Sequence, residues 1–166
     1  MRQFRVEHLF IFPKLPNLTL LSSVRMIRAV LPHLRARGGG AILAVTSSSV
    51  KEPNDILLMS NVMRSGVTSL LKSLSRQLAS EKIRVNNLIP GHIFTGRVQA
   101  LDELRANKMG RTVAEERAWQ EGQIPWGRYG RTEEFGRAGA FLLSDAASYI
   151  TGETLIVDGG AMKTVW

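Results

Sequence analysis

The chain has 166 residues, the length of one domain and enough to bury a core. It contains no cysteine, which excludes a disulfide framework, a thiolate metal site and a cysteine nucleophile; a reducing, cytoplasmic setting is the expectation. Lys and Arg total 22 against 14 Asp and Glu, a net charge of +8, but the cations run from Arg2 to Lys163 without massing or alternating with aromatics, so a solvated basic surface is expected and a nucleic-acid interface is not.

Residues 1–16 read as a lead-in to the fold. Their apolar stretch, Leu9-Phe10-Ile11-Phe12, falls short of the ~20 residues of a membrane span. It also lacks the small-residue cleavage site of a signal peptide, and Pro13 and Pro16 interrupt it. From Asn17 to Arg37, Leu20, Leu21, Val24, Ile27, Leu31 and Leu34 recur at helical spacing. Pro32 inside that stretch should kink the helix or remove one backbone bond, and Gly38-Gly39-Gly40 should stop it. The continuous apolar run Ala41–Thr46 predicts a strand buried on both faces, as in a parallel sheet, ended by Ser47-Ser48-Ser49.

A second helix is predicted from about Leu57 to Ser80, with Met63, Val67, Leu70, Leu71, Leu74 and Leu78 on its apolar face and Gly66 as a site of close approach. Ile83–Ile89 is the next strand, ended by Pro90-Gly91. Arg97 to Glu121 is a charged helical excursion broken near Gly110, and Thr112 with Glu115 forms a capping box that should start its second helix. Thr132 is expected to cap a further helix with Phe135, Ala138, Phe141 and Leu142 turned inward. The last strand is Thr154–Asp158, closed by Gly159-Gly160. This alternation predicts an α/β fold of parallel strands joined by right-handed crossovers. Three parallel strands leave one flank unpaired, so further strands are expected from a longer chain or from a partner.

Four segments in this order, Arg28–Leu34, Gly40–Ser48, Ile83–Gly91 and Tyr149–Gly160, together resemble the short-chain dehydrogenase/reductase family over roughly Leu18 to Gly160. The resemblance implies the C-terminal strands and helices of a Rossmann-like doubly wound sheet over residues 17–166. It implies an oxidoreductase that moves hydride between NAD or NADP and a small-molecule carbonyl or alcohol. It also implies a homo-oligomer, a dimer or tetramer, built through the two long helices and the last strand. The carbonyl-orienting serine of the family falls on Ser47, Ser48 or Ser49, with Ser48 favoured. The turn that meets the nicotinamide falls on Pro90, Gly91 and Ile93, with Thr95 near the cofactor.

The departures from the family pattern bear on chemistry. The family's glycine-rich turn must follow a strand and open a helix, and Gly38-Gly39-Gly40 precedes a strand instead. Aligned on Gly66 and the leucines, the helix after the serines carries Ser60 at the family's tyrosine position and Arg64 at its lysine position, and Thr19 stands at the helix asparagine. A serine hydroxyl is far less acidic than a phenol; an arginine can hold ribose hydroxyls but stays protonated. A second expectation is therefore a non-catalytic family member, acting as a binding or assembly subunit, and a third is a truncated fragment. His92 is read as a loop histidine, and His8 and His33 have no partners at metal-ligand spacing. The family's substrate lid falls on the excursion, where Arg105, Lys108 and Arg111 read as a solvated face.

Overall fold

In a computed structural model, which describes residues 14–165, three parallel strands lie in the order β1-β2-β3 between helices on both faces. The helical backbone opens at Lys14, three residues before the expected Asn17, with a short turn at Lys14–Pro16, a π turn at Asn17–Leu21 and then helix α1 at Ser22–Ala36. Most of the proposed lead-in lies outside the described residues. Proline carries no N–H, so Pro32 leaves the Arg28 carbonyl without its intrahelical donor, yet α1 continues past it to Ala36.

The glycines after α1 are required by the backbone. Gly39 sits at φ 143°, and a Cβ on it would stand 2.7 Å from the Lys82 carbonyl oxygen, where β1 (Gly40–Val45) begins beside β2 (Ile83–Pro90). Helix α2 (Leu58–Gln77) crosses back from β1 to β2. Between β2 and β3 (Thr154–Val157) come α3 (Gly96–Met109), α4 (Val113–Gly122) and α5 (Thr132–Leu143).

The core lies on the α1/α2 side, where Ile27, Val67, Leu71 and Leu78 close on Ile83 and Val85, with Ile42 and Ala44 of β1 packed at its border. α5 covers the opposite face: Gly139 stands where an added Cβ would meet Leu43 and Leu88 at 3.4 and 3.5 Å. β2 is the doubly buried strand, with Val85 and Ile89 fully enclosed. β1 is not, contrary to expectation: its residues are half-buried and Val45 is 52% exposed, because no strand pairs with its outer edge among the described residues.

Two other expectations shift. Arg131, not Thr132, is the N-cap of α5; its N–H donates to the Glu134 carboxylate at 2.8 Å, and Thr132 is the first helical residue. Phe141 is 42% exposed, since the buried stripe of α5 runs through Gly139 and Leu142, the latter inward as expected. The Thr112–Glu115 capping box forms as expected, with both reciprocal bonds present. No described helix is long and apolar enough to cross a membrane.

Gly66 faces Leu20, but an added Cβ would meet its methyls at 3.4 and 3.5 Å, ordinary van der Waals contact and not the close approach expected. A mid-helix glycine costs about 0.5–1 kcal/mol against alanine. Gly66→Ala should therefore raise the unfolding free energy by up to about 1 kcal/mol, read from the midpoint of urea unfolding at unchanged slope; a lowered midpoint would show that Leu20 cannot accommodate the methyl.

Candidate active site

All three strands run parallel, so their carboxyl ends converge on one edge of the sheet, where a crevice forms in open α/β folds. β1 leads into Ser47-Ser48-Ser49, β2 into Gly91-His92, and β3 into Asp158-Gly159. Gly91 donates its N–H to the Val157 carbonyl at 2.9 Å, and a Cβ on it would overlap Asp158, so only glycine lets the ends of β2 and β3 come this close. Between these ends lies a 250 Å³ cavity lined by Ser48, Glu52, Gly91, His92, Gln123 and Met162, among others.

The three serines divide by their hydrogen bonds. Ser47 caps a short 3-10 turn, and its Oγ accepts from the Ser49 N–H at 3.2 Å and from the Ser49 hydroxyl at 3.1 Å. Ser49 is buried. The Ser48 hydroxyl bonds no described residue and lines the cavity.

The other expected site residues are placed as follows. Arg64, half-buried on α2, donates Nη1–H to the Thr46 carbonyl at 3.2 Å, at the end of β1. Ser60 lies one turn earlier, half-buried, and does not line the cavity. Its neighbour Asn61 is buried, with Nδ2 donating to the Asn54 carbonyl at 2.9 Å and Oδ1 unpaired. Thr19 sits half-buried within the π turn, its carbonyl accepting from the Ser23 hydroxyl at 3.0 Å, and is also outside the cavity. Pro90 ends β2. Ile93 is buried, its N–H bonded to the Gly91 carbonyl at 3.0 Å. The Thr95 hydroxyl caps α3, accepting from the Val98 N–H at 3.3 Å.

A polar cluster not foreseen from the sequence holds the excursion against this edge. The buried Tyr129 donates its hydroxyl to Asp102 Oδ2 on α3 at 3.0 Å, and Arg105 reaches the same carboxylate at 3.4 Å. Arg117 of α4 lies 4.5 Å over the Phe94 ring and 5.6 Å over Tyr129. Desolvation, and after it the bond to Asp102, pushes the Tyr129 pKa well above the ordinary phenol value. His92 packs edge-on against Tyr129, with centroids 5.8 Å apart; desolvation first and the Arg105 charge second lower its pKa and favour the neutral ring. A second cavity, of 180 Å³, opens on the other side of His92 toward Trp126, Arg128 and Glu134. The sequence signals were slight: an acid three residues after the N-cap for Glu134, and for Tyr129 only an aromatic between two loop glycines.

Among the described residues no group of His, Asp and Glu could hold a metal ion. The nicotinamide end of a dinucleotide fits the residues present: an unspent hydroxyl at Ser48, a Pro-Gly turn facing it, and a guanidinium on α2 with donors beyond the one given to Thr46. The pyrophosphate end has no cradle here, because none of the described strands leads through a glycine-rich turn straight into a helix N-terminus.

The fold and this crevice define a Rossmann-like α/β protein. The family model described as enoyl-(acyl carrier protein) reductase matches residues 11–162. The chain is 37% identical over 151 residues to dehydrogenase/reductase SDR family member 4 of Oryctolagus cuniculus, covering 91% of this chain and 55% of that protein. It is 38% identical over 143 residues to the 3-oxoacyl-(acyl-carrier-protein) reductase FabG of Salmonella typhimurium, covering 86% and 54%. L-sorbose reductase of Gluconobacter frateurii, solved with NADPH and L-sorbose, superposes with a TM-score of 0.88 at 27% identity, covering 99% of this chain and 62% of that one. The chain belongs to the short-chain dehydrogenase/reductase family, and it spans about half the length of the curated relatives it matches.

Two measurements bear on the cluster. Tyr129→Phe leaves one oxygen of the buried Asp102 carboxylate without its donor and should lower the unfolding free energy by about 1–3 kcal/mol in chemical denaturation, with an unchanged value showing that water replaces the bond. The Arg128 guanidinium, and next the Arg131 N–H, hold the Glu134 carboxyl at about 2, below its ordinary 4.5. A depressed carboxyl stabilises the fold above its unfolded pKa and loses that contribution as pH falls through the folded one. Stability should therefore decline between about pH 5 and pH 2, and Glu134→Gln should flatten that decline; equal slopes in both proteins would remove Glu134 as its source.

Proposed function

We propose that this chain forms the substrate side of an NAD(P)-dependent oxidoreductase site acting on a small carbonyl or alcohol. The observation that supports it is the Ser48 hydroxyl, without a partner among the described residues, in the cavity between the ends of β1 and β2. In this reading Ser48 donates to the substrate oxygen and orients it. The guanidinium of Arg64 holds ribose hydroxyls with the donors left after its bond to Thr46. The backbone of Pro90, Gly91 and Ile93 and the hydroxyl of Thr95 form the wall against the carboxamide. When bound there, the nicotinamide supplies or accepts the hydride. Ser60, through a relaying water, takes the place of the missing phenol, with Thr19 at the helix asparagine position; a serine hydroxyl is a weak acid, so slow turnover follows from this site. Residues 17–166 serve as the C-terminal part of the domain, working in the cytoplasm as a homo-oligomer.

A second reading is favoured by one specific observation: Ser60 does not line the cavity and Arg64 is engaged with a strand-end carbonyl. It makes the chain a non-catalytic family member that binds or assembles.

Titration with NADH and with NADPH, followed by nicotinamide fluorescence, separates the two. The first reading expects saturable binding, weakened about tenfold by Arg64→Ala through loss of a charged hydrogen bond. It also expects carbonyl-dependent oxidation of the reduced nucleotide that falls at least tenfold in Ser48→Ala while nucleotide binding stays. Absence of binding at millimolar nucleotide sinks it and leaves the second.

A further inference from the structure

Whichever way the hydride moves, a proton must leave or reach the oxygen that Ser48 orients. A serine hydroxyl and a water pass a proton along, but neither keeps one near neutral pH. The Ser60 relay therefore needs a terminus that binds and releases a proton. The chain has no cysteine and two tyrosines. The Tyr129 hydroxyl is committed to Asp102 at 3.0 Å, and Tyr149 is fully exposed and away from the cavity wall. Of the acids on that wall, Glu52 accepts from the Lys163 N–H, and both Asp158 oxygens accept from the backbone of the tail. Among the described residues, the ionisable side chain that remains on the wall is His92. Its backbone is fixed on both sides: Gly91 bonds the Val157 carbonyl, and the His92 carbonyl accepts from the Gly130 N–H, each at 2.9 Å. The ring meets Tyr129 edge-on, makes no hydrogen bond to a described residue and is exposed. His92 and Ser48 thus offer uncommitted polar atoms to one 250 Å³ space, enough for a small alcohol and a few waters at about 30 Å³ each.

We infer that His92 is the acid/base group of this site, its imidazole exchanging a proton with the substrate oxygen at Ser48, directly or through the relaying water. The inference rests on the oxidoreductase reading of the cavity. In oxidation the alcohol C–H leaves as hydride to NAD(P)+, the O–H bond breaks, and its electron pair completes the carbonyl. The proton goes to the imidazole, and the imidazolium releases it to solvent. In reduction the imidazolium gives its proton to the carbonyl oxygen as the hydride arrives. The neighbouring charges decide the resting form. Arg105 and Asp102 of α3 act on the ring with opposite signs. Arg117 and Glu121 of α4, paired at 3.0 Å, flank the Tyr129 against which it packs. Glu52 and Asp158 border the one cavity, and the Arg128–Glu134 pair borders the other. Desolvation and Arg105 outweigh Asp102, so the ring rests neutral and acts as a base. The oxidative direction is therefore the one it serves at neutral pH.

The purified chain is assayed with NAD+ and with NADP+ on propan-2-ol, butan-2-ol and cyclohexanol, from about pH 5 to about pH 9. Oxidation by the wild type is expected to rise about tenfold per pH unit, bend below the ordinary histidine value of 6.5 and then level off. His92→Gln should lower the rate at least tenfold and abolish the bend while nucleotide binding stays. Imidazole added to His92→Ala should restore part of the rate, which a merely structural histidine would not allow. Ser60→Ala slows the reaction but keeps the bend, and His33→Gln, on the exposed face of α1, changes neither. Without nucleotide, the imidazole proton resonance that His92→Gln removes should titrate below 6.5. A resonance that does not titrate between about pH 4 and about pH 8 overturns the inference. So does turnover with a flat profile, or a rate and bend that survive His92→Gln, and either leaves the oxidoreductase reading standing. Absence of any turnover by the wild type overturns that reading and this inference together.

Discussion

Two consecutive asparagines in the middle of β2 hold the sheet in register. Asn86 and Asn87 are each 1% exposed, and the pleat sends their side chains to opposite faces. Burying an amide without partners costs several kcal/mol, so each had to be satisfied or excluded. Asn86 donates Nδ2–H to the Ile150 carbonyl at 2.9 Å and accepts from the Glu153 N–H at 3.0 Å, which fixes the loop that feeds β3. Asn87 accepts from the Thr46 hydroxyl at 2.9 Å and turns Nδ2 toward Thr68 of α2 and Thr154 of β3, at 3.5 and 3.4 Å. One side chain thus ties the end of β1, the helix that follows it and the start of β3. A slip of one residue would reverse both amides and strand every one of these groups, so the register carries a penalty far above that of the apolar pattern alone.

The crevice inherits that fixed register. With the strands locked, Ser48, Gly91 and Asp158 leave the sheet at set heights, and the tail closes over them. Asp158 accepts from the Gly160 and Met162 N–H groups at 2.9 and 2.7 Å, and Glu52 accepts from the Lys163 N–H at 2.8 Å. The Trp126 N–H reaches the Gly159 carbonyl at 3.2 Å, joining the loop after α4 to the same edge. The acids bordering the cavity are therefore occupied in shaping it, whereas Ser48 is not. The Ser48 hydroxyl is held on this fixed turn and has no partner among the described residues.

What could be read from the chain beforehand follows a physical division. Strand and helix identities depend on local periodicity, so the three strands, their parallel order and the capping box at Thr112 were legible. The burial of β1 does not follow from its composition, because a run such as Ala41–Val45 has the same residues whether its outer edge is covered or bare. Phe141 differs because the buried residues of α5 are Gly139 and Leu142, which leaves the ring beside the inward stripe, 42% exposed. Asn86-Asn87 is a polar pair in an apolar strand, a residue type depleted in sheets, and such a pair signals a buried network. The Tyr129–Asp102 pair joins residues far apart in the chain, and no local pattern announces it.

Arg64 shows why the site resists a residue-by-residue transfer of roles. The Thr46 carbonyl stands where β1 gives way to the serine turn, and the guanidinium from α2 satisfies it. The same helix is held to β2 through Thr68 and Asn87. Two polar ties from one face of α2 restrict its rotation, and with it the position of Ser60 one turn before Arg64. A serine side chain is too short to make up the distance that a phenol would span, so its hydroxyl stays outside the cavity that Ser48 lines. An arginine at this position anchors the end of the strand that presents Ser48 and keeps further donors beyond the one given to Thr46. The fixed charge and rigid fork of arginine suit the anchoring role, since neither varies with pH near neutrality. The Arg64 guanidinium is thus part of the scaffold around the serine turn, at the carbonyl where β1 ends.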